Sequence, residues 1–386
     1  MSRAKPVRPQ AHESPSLNRK VMSRRALNRA LLARQLLLDR SPLSALEAVE
    51  HLAGLQAQSP TAPYYALWAR LQNFRHEELS GLIQERKAVR LALMRSTLHL
   101  VSAADARELR PWVQAALDRG LKGSQHSRYL EGLEREELAR EGRRRVEEEP
   151  LSFQELGKRL QDRWPGRDAA ALCAAVRTFV PLVQLPPRGL WGRSGQAVHT
   201  SAESWLGRPL ADVPDPARWI LRYLAAFGPA SVKDVQAWSG LARLGPEMEK
   251  LRPRLSVFLD ENGVELFDLP DAPRPEEDTP VPVRFMGEFD NSLLSHADRS
   301  RIIGEEERKR VITRNGLVHS TFLVDGFVAG TWRIERAKGK ALLTVEPFTP
   351  LCSGQREAIE SEGRRLLGWA AEEEAPEFLL ANPVKE

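Results

Sequence analysis

The chain has 386 residues, 42% hydrophobic and 28% charged, with a net charge of +5, the balance of a folded protein too long for one comfortable core, so two to four modules are expected. No run of about 18 apolar residues occurs, which excludes a membrane-spanning helix. Only two cysteines occur, Cys173 and Cys352, without C-x-x-C spacing, so neither a disulfide scaffold nor a zinc site is implied.

Residues 1–20 read as a basic tail, rich in Pro, Ser and Arg and expected to be disordered. Between Met1 and Arg29, eight Lys or Arg face the single acid Glu13, a local +7, which leaves the rest of the chain at −2. The total charge therefore says little about the folded body, and a claim of nucleic-acid binding has to rest on patches. The tail itself reads equally as a solubilising arm or a phosphate-contacting one. It lacks the apolar stretch of a secretory signal, so a cytoplasmic location is expected.

Residues 21–145 form a first module with its connection. Helical patterns occur in SRRALNRALLARQLLLDR, PLSALEAVEHLAG and HEELSGLIQERKAV, followed by a strand, RLALMRSTLHLVS. The charged stretch RYLEGLEREELAREGRRRVEEEP is expected to form solvated connecting helices. Residues 146–210 repeat the scheme, with helices in LSFQELGKRLQDRW and DAAALCAAVRTFVPLVQL and a wing in RGLWGRSGQAVHTS. Residues 211–272 show it most clearly: three short helical patterns, then SVFLDENGVELFDLP, whose Asn262-Gly263 between alternating apolar residues marks a hairpin. Three helices and a two-stranded wing describe a winged helix, and repetition of that unit organises the chain. Residues 281–386 change to strands, in VPVRFMGEF, GLVHSTFLVDGFVAGTWRIER and KALLTVEPF, with one helix and a last strand. The expected fold class is α+β: three tandem winged-helix modules with a C-terminal β-barrel-like domain.

Fold alone does not settle function, so the polar constellations have to. In GLQAQSP, Gly54 and Pro60 both discourage helix, and in extended backbone residues two apart share a face. Gln56 and Gln58 can then converge on one small object such as a water molecule, one amide accepting and the other donating. The plainer reading is that they satisfy backbone groups of a loop. In RLALMRSTLHLV, alternation places Arg95, Thr97 and His99 on one side, suited to a phosphate or a base edge, or simply to the exposed face of a wing. A third cluster, GEFDNSLLSHADRSR, gathers Asp290, Asn291, Ser295, His296, Asp298 and Arg299, without metal-ligand spacing. The turn AKGK offers Lys338 and Lys340, which a hairpin tip ordinarily leaves solvated.

The strings LNRALLARQLLL, GLQAQ, LMRSTLHLV, FDNSLLSHADR, TRNG and VDGFVAGTWRIER resemble the AlkZ/YcaQ-type family of bacterial DNA glycosylases, in order, from about residue 21 to the C-terminus. That resemblance implies three winged-helix modules and a β-barrel in a C-shape around duplex DNA. It also implies excision of bulky N7-alkylguanine adducts, interstrand crosslinks included, by a Q-x-Q or Q-x-D motif at the reacting sugar. The matching positions are Gln56 and Gln58, expected to be catalytic. The Q-x-Q form places the chain with the AlkZ-like branch, associated with self-resistance to DNA-alkylating natural products.

The chemistry is intelligible from the residues. Alkylation at N7 makes guanine cationic, so cleavage releases a neutral purine, and positive charge builds on the sugar instead. Amides accept protons poorly but orient water well, so positioning is their contribution. A carboxylate at the second motif position would also assist deprotonation, which Gln58 gives up. No lysine in the motif can form a Schiff base, so the reaction is expected to be monofunctional hydrolysis, without metal or cofactor. Bulky adducts favour an open site over a tight base-flipping pocket. Arg95, Thr97, His99, Asn291, His296, Arg299, Lys338 and Lys340 are the expected DNA contacts, and the partner is double-stranded DNA carrying alkylated guanine, for which one chain suffices. The rival reading is a regulator that binds DNA through winged modules without catalysis.

Overall fold

The computed structural model describes residues 20–383, so apart from Lys20 the basic tail lies outside the described residues. The fold is mixed α+β. Ser44 with Glu47, Ser152 with Glu155 and Ser231 with Asp234 form reciprocal capping boxes at the starts of the helices Ala45–His51, Phe153–Gln161 and Val232–Ser239. In each, the polar pair three residues apart satisfies two backbone N–H groups that a first helical turn leaves open.

The strand expected over RLALMRSTLHLVS is in fact two strands, Ala88–Ala92 and Leu98–Ser102, folded back on each other around the turn Met94–Ser96. The single strand face proposed for Arg95, Thr97 and His99 is thereby corrected: Arg95 sits in the turn, Thr97 closes it, and only His99 lies in a strand. The hairpin continues into a six-stranded sheet in the order Leu55–Gln56, Leu98–Ser102, Ala88–Ala92, Leu182–Gln184, Val198–Ser201, Leu151–Ser152. Arg90 opposite Gln184 and Leu91 opposite Val183 join the two halves, so residues from both sides of position 145 share one sheet. Leu55–Gln56 is its outermost strand.

Helices Pro216–Phe227, Val232–Ser239 and Gly245–Leu251 precede the hairpin Ser256–Asp260/Glu265–Asp268, in the order the sequence led one to expect. Asp260 accepts from the backbone N–H groups of Asn262 and Val264, and Gly263 takes the left-handed conformation the turn needs, at φ +76°. Trp219, Tyr223, Phe227 and Trp238 are fully buried between these helices. The N-terminal strand Val21–Met22 pairs in parallel with Ser256–Asp260. Helix Arg24–Arg34 follows it, and Arg34 meets Asp268 through a doubly hydrogen-bonded pair at 2.6 and 2.8 Å. Residues that the sequence grouped with the first module are thus tied to the third.

The C-terminal region is a five-stranded sheet in sequence order, Arg284–Met286, Thr321–Val324, Phe327–Ala337, Lys340–Pro347 and Ala375–Leu380. The first four strands are antiparallel, and the last adds in parallel after the crossover helix Ser353–Ala370. Its two outer strands do not pair, so the sheet is open and the expected barrel closure is absent among the described residues. This region packs on the first through an aromatic cluster. Tyr65, on helix Ala62–Arg70, meets Trp332 and Trp369 edge-on at 5.3 and 5.5 Å, and His76 stacks on Trp191 at 3.9 Å. Gly287 belongs to this contact, since a Cβ there would lie 2.8 Å from Tyr65. The packing delivers the segment that carries Asp290 and Asn291 onto the Leu55–Gln56 strand.

Candidate active site

After helix Ala45–His51 the chain reverses through Ala53 and Gly54, both left-handed, at φ +53° and +91°. Gly54 has no substitute there, because a Cβ would lie 2.6 Å from Val101 and 3.2 Å from the Leu100 carbonyl. The backbone then extends. Leu55 pairs with Leu100, Gln56 with His99, and the Ala57 N–H donates to the Leu98 carbonyl at 2.7 Å. Alternation puts Leu55 and Ala57 into the core, at 3% and 0% exposure, and turns both glutamines to the other face. There Gln56 Nε2 donates to Gln58 Oε1 at 2.5 Å. Gln56 is 6% exposed, whereas Gln58 stands in solvent and its amide nitrogen has no protein partner among the described residues.

Three side chains hold this stretch. Asn291 acts as a one-residue strand on the open edge, donating to the Gly54 carbonyl at 2.7 Å and accepting from the Gln56 N–H at 3.2 Å. It is itself anchored by its neighbour. Asp290 takes two hydrogen bonds from Arg70, at 2.8 and 2.9 Å, with both side chains at 1% exposure. Burial alone would raise the Asp290 carboxyl, but the Arg70 charge and the Ser292 hydrogen bonds outweigh it and hold the group below the usual carboxylate range. Arg90, 2% exposed, donates to the Ala57 carbonyl at 2.7 Å. Arg95 donates through one terminal nitrogen to Gln56 Oε1 and through the other to the Trp238 carbonyl, both at 2.7 Å.

Arg95 reaches Gln56 because of an unusual turn. Arg95 and Ser96 are successive left-handed residues, at φ +55° and +60°, positions that glycine or asparagine ordinarily occupy. Such backbone costs about 1–2 kcal/mol per non-glycine residue, and the surroundings enforce it. Gly240 passes so close that a Cβ on it would lie 3.0 Å from the Arg95 backbone, and Arg177 donates to the Ser96 carbonyl at 3.1 Å. A cleft of about 900 Å3 opens beside this turn, lined by Arg95 and Ser96 and by Leu121, Phe153, Ala170 and Arg177 among others.

The electrostatics are one-sided. Burial, and then the charge of Arg299, lower Arg95 to about 10; burial, and then Arg188, lower Arg90 to about 10. Both remain cations at neutral pH. No carboxylate hydrogen-bonds to Gln56, Gln58, Arg90 or Arg95 among the described residues. His99 is fully buried, and burial followed by the Arg95 charge push it down to about 3, so it is a neutral imidazole. Its Nδ1 lies 3.1 Å from the Thr97 carbonyl and its Nε2 has no partner.

The structure therefore brings Gln56, Gln58, Arg95 and Asn291 together, with His99 on the strand opposite Gln56. Arg95 is engaged by protein acceptors rather than being free for a phosphate. Thr97 bonds to the Met94 carbonyl at 3.0 Å, and His99 is sealed in the interior, so both act within the hairpin. His296 is also corrected: it is 1% exposed and lies 3.0 Å from the Phe227 carbonyl, in the interior rather than on a DNA face. Arg299 is half-buried in a small cavity with Arg308 and near enough to Arg95 to lower it, and has no ion pair among the described residues. Lys340 pairs with Glu377 at 2.6 Å, while Lys338 stands exposed in the turn. Arg90 and Arg70 were missed by the sequence reading. The signal for Arg90 was a cation inside the apolar run AVRLALM.

The sequence from 49 to 369, which contains both glutamines and every side chain that holds them, matches the family described as DNA glycosylase AlkZ-like. The chain belongs to the AlkZ-like DNA glycosylase family. Its fold is similar to that of the Streptomyces sahachiroi DNA glycosylase AlkZ, with a TM-score of 0.75 at 21% identity, over 94% of this chain and 100% of that one. No curated protein matches the sequence. In this AlkZ-like glycosylase the resemblance read from the strings GLQAQ, LMRSTLHLV and FDNSLLSHADR corresponds to one physical assembly, the outer strand and the two segments that clamp it.

Proposed function

We propose that the chain is a monofunctional glycosylase that hydrolyses the N-glycosidic bond of N7-alkylguanine in double-stranded DNA and leaves an abasic site. The observation that carries the reading is the hydrogen-bonded amide pair Gln56–Gln58, rigidly held at its buried end and open to solvent at the other, with no carboxylate bonded to it. A neutral purine without alkylation would need protonation or a strong base-assisted attack. N7-alkylguanine needs neither, because its base departs neutral from a cation, and an oriented water suffices. The oxygen of Gln58 keeps a second lone pair for a water hydrogen.

Bulky adducts and interstrand crosslinks belong to the same reading. Gln58 is exposed rather than enclosed, and the cleft beside the Arg95 turn gives room for a substituent. Three helix-and-hairpin units, read as winged helices, would present the strand to the duplex, with Arg299 and the exposed Lys338 as phosphate contacts. The Q-x-Q form of the motif, which the family resemblance associates with the AlkZ-like branch, makes self-resistance to a DNA-alkylating natural product the setting we propose.

The test is incubation with duplexes carrying 7-methylguanine or a bulky N7 adduct, followed by alkaline cleavage at abasic sites. Strand breaks are expected with the wild-type chain, falling roughly a hundredfold for Gln58→Ala, as when one transition-state-positioning group is removed, while DNA affinity is kept. A DNA-binding regulator would give no breaks from either protein, and that result overturns the reading.

A further inference from the structure

The order of donors and acceptors through the site has a fixed direction. Arginine carries only donors, so the atom of Gln56 that faces Arg95, at 2.7 Å, has to be its carbonyl oxygen. Its NH2 group therefore faces Gln58, and the Gln58 atom that meets it at 2.5 Å has to be the oxygen. The chain of hydrogen bonds runs from Arg95 through Gln56 to Gln58 and ends in an NH2 group exposed to solvent. Two glutamines alone pair equally well in either direction, since each amide carries both functions. Only a group that cannot accept breaks the tie. Arg95 meets that requirement and is held firmly. Its second terminal nitrogen is fixed on the Trp238 carbonyl at 2.7 Å, and two left-handed residues in succession keep it in place.

We propose that Arg95 is a positioning residue that sets the polarity of the Gln56–Gln58 pair, so that position 56 must both accept and donate whereas position 58 need only accept from its neighbour. The charge also polarises the chain of hydrogen bonds, strengthening each donor along it. This inference rests on the reading of the glutamine pair as the water-orienting group, and it makes the two glutamines chemically unequal. A carboxylate at 56 still accepts from Arg95 but has no hydrogen to give Gln58. A carboxylate at 58 still accepts from Gln56.

The experiment compares Gln56→Glu, Gln58→Glu and Arg95→Ala by single-turnover excision of 7-methylguanine, with circular dichroism and DNA affinity as controls. Gln56→Glu is expected to be at least roughly tenfold slower than Gln58→Glu, the scale of one hydrogen bond to a charged group. Equal rates, or the reverse order, overturn the proposal. Arg95→Ala is expected to lose roughly 30-fold in kcat on the same scale, with KM unchanged and partial rescue by added guanidinium. If Arg95 instead contacts a phosphate, kcat at saturating DNA survives and the salt dependence of binding falls by about one ion. A readout independent of turnover is hydrogen exchange of the side-chain amides in glutamine-labelled protein. The Gln56 NH2 should be protected and the Gln58 NH2 fast, and Arg95→Ala should speed exchange of the Gln56 NH2. Protection of Gln58 rather than Gln56 in the wild type sinks the polarity even if excision proceeds. The predicted protection with no excision leaves the polarity standing and removes the glycosylase reading instead.

Discussion

Arg34, Arg70, Arg90 and Arg95 are held in two different ways. Arg34 and Arg70 are buried against carboxylates, Asp268 and Asp290, each through two hydrogen bonds between 2.6 and 2.9 Å. Arg90 and Arg95 meet only neutral oxygens, the Ala57 and Trp238 carbonyls and the Gln56 amide. The first pair joins distant segments, helix Arg24–Arg34 to the third hairpin and helix Ala62–Arg70 to the Asn291 segment. The second pair stands around the Gln-x-Gln strand. Charge is neutralised where two remote segments are fastened and left without an acid partner around the Gln-x-Gln strand. On the proposed function, the absence of a bonded carboxylate among the described residues leaves the orienting of water to the amides.

The contrast is tested most severely at Asp290. Asp290→Ala leaves Arg70 as an uncompensated buried charge, and a loss of about 3–5 kcal/mol in unfolding free energy by denaturant titration is expected. Arg90→Met is the counter-experiment. It removes a charge that has no acid partner and whose Nε and Nη1 have no acceptor, together with one hydrogen bond to the Ala57 carbonyl. Stability should change by no more than about 1 kcal/mol, while excision falls because the strand between the glutamines is no longer gripped. Destabilisation equal to that of Asp290→Ala would show that Arg90 is a fastener like the others.

The smallest expected effect is of pH on the chemical step. His99 lies at about 3 and Arg95 at about 10, so no group touching the pair titrates between them. Single-turnover kcat should vary by less than about twofold from pH 5 to 9, and a bell-shaped profile centred near 7 would require a histidine that the structure does not place there. Stability behaves differently. The folded values of His99 and His296, both near 3, lie below the ordinary 6.5, so the unfolded chain binds protons that the folded one refuses. Their contribution is complete above pH 6.5 and is lost as pH falls toward 3, which a series of melting temperatures will register.

Much of the polar site was legible because its signals are local. Gly54 and Pro60 bracket an extended stretch, and the two-residue period then puts both amides on one face, as found. Asn262-Gly263 announced its hairpin for the same reason. The turn inside LMRSTL was invisible, because Arg95 and Ser96 are poor candidates for left-handed backbone and adopt it only under Gly240 and Arg177. His296 looked like a surface histidine among polar neighbours, but the chain folds it under Phe227. Asn291 reads as a loop asparagine until a strand more than two hundred residues earlier is laid beside it. The C-terminal strands suggested closure into a barrel, whereas the crossover helix Ser353–Ala370 returns the last strand to the outer edge in parallel.

By itself the sequence determined that backbone extends between Gly54 and Pro60 and turns at Asn262-Gly263, and hence that Gln56 and Gln58 could share one face. Those properties depend on residues within a few positions of one another, and short-range sterics and hydrogen bonding decide them. Which way the amide pair points, what clamps it and which arginines stay unneutralised were decided only by tertiary packing. Arg95, Trp238 and Asn291 are remote in the chain, and donor and acceptor roles in a symmetric amide pair have no preference until a one-sided partner is brought into contact.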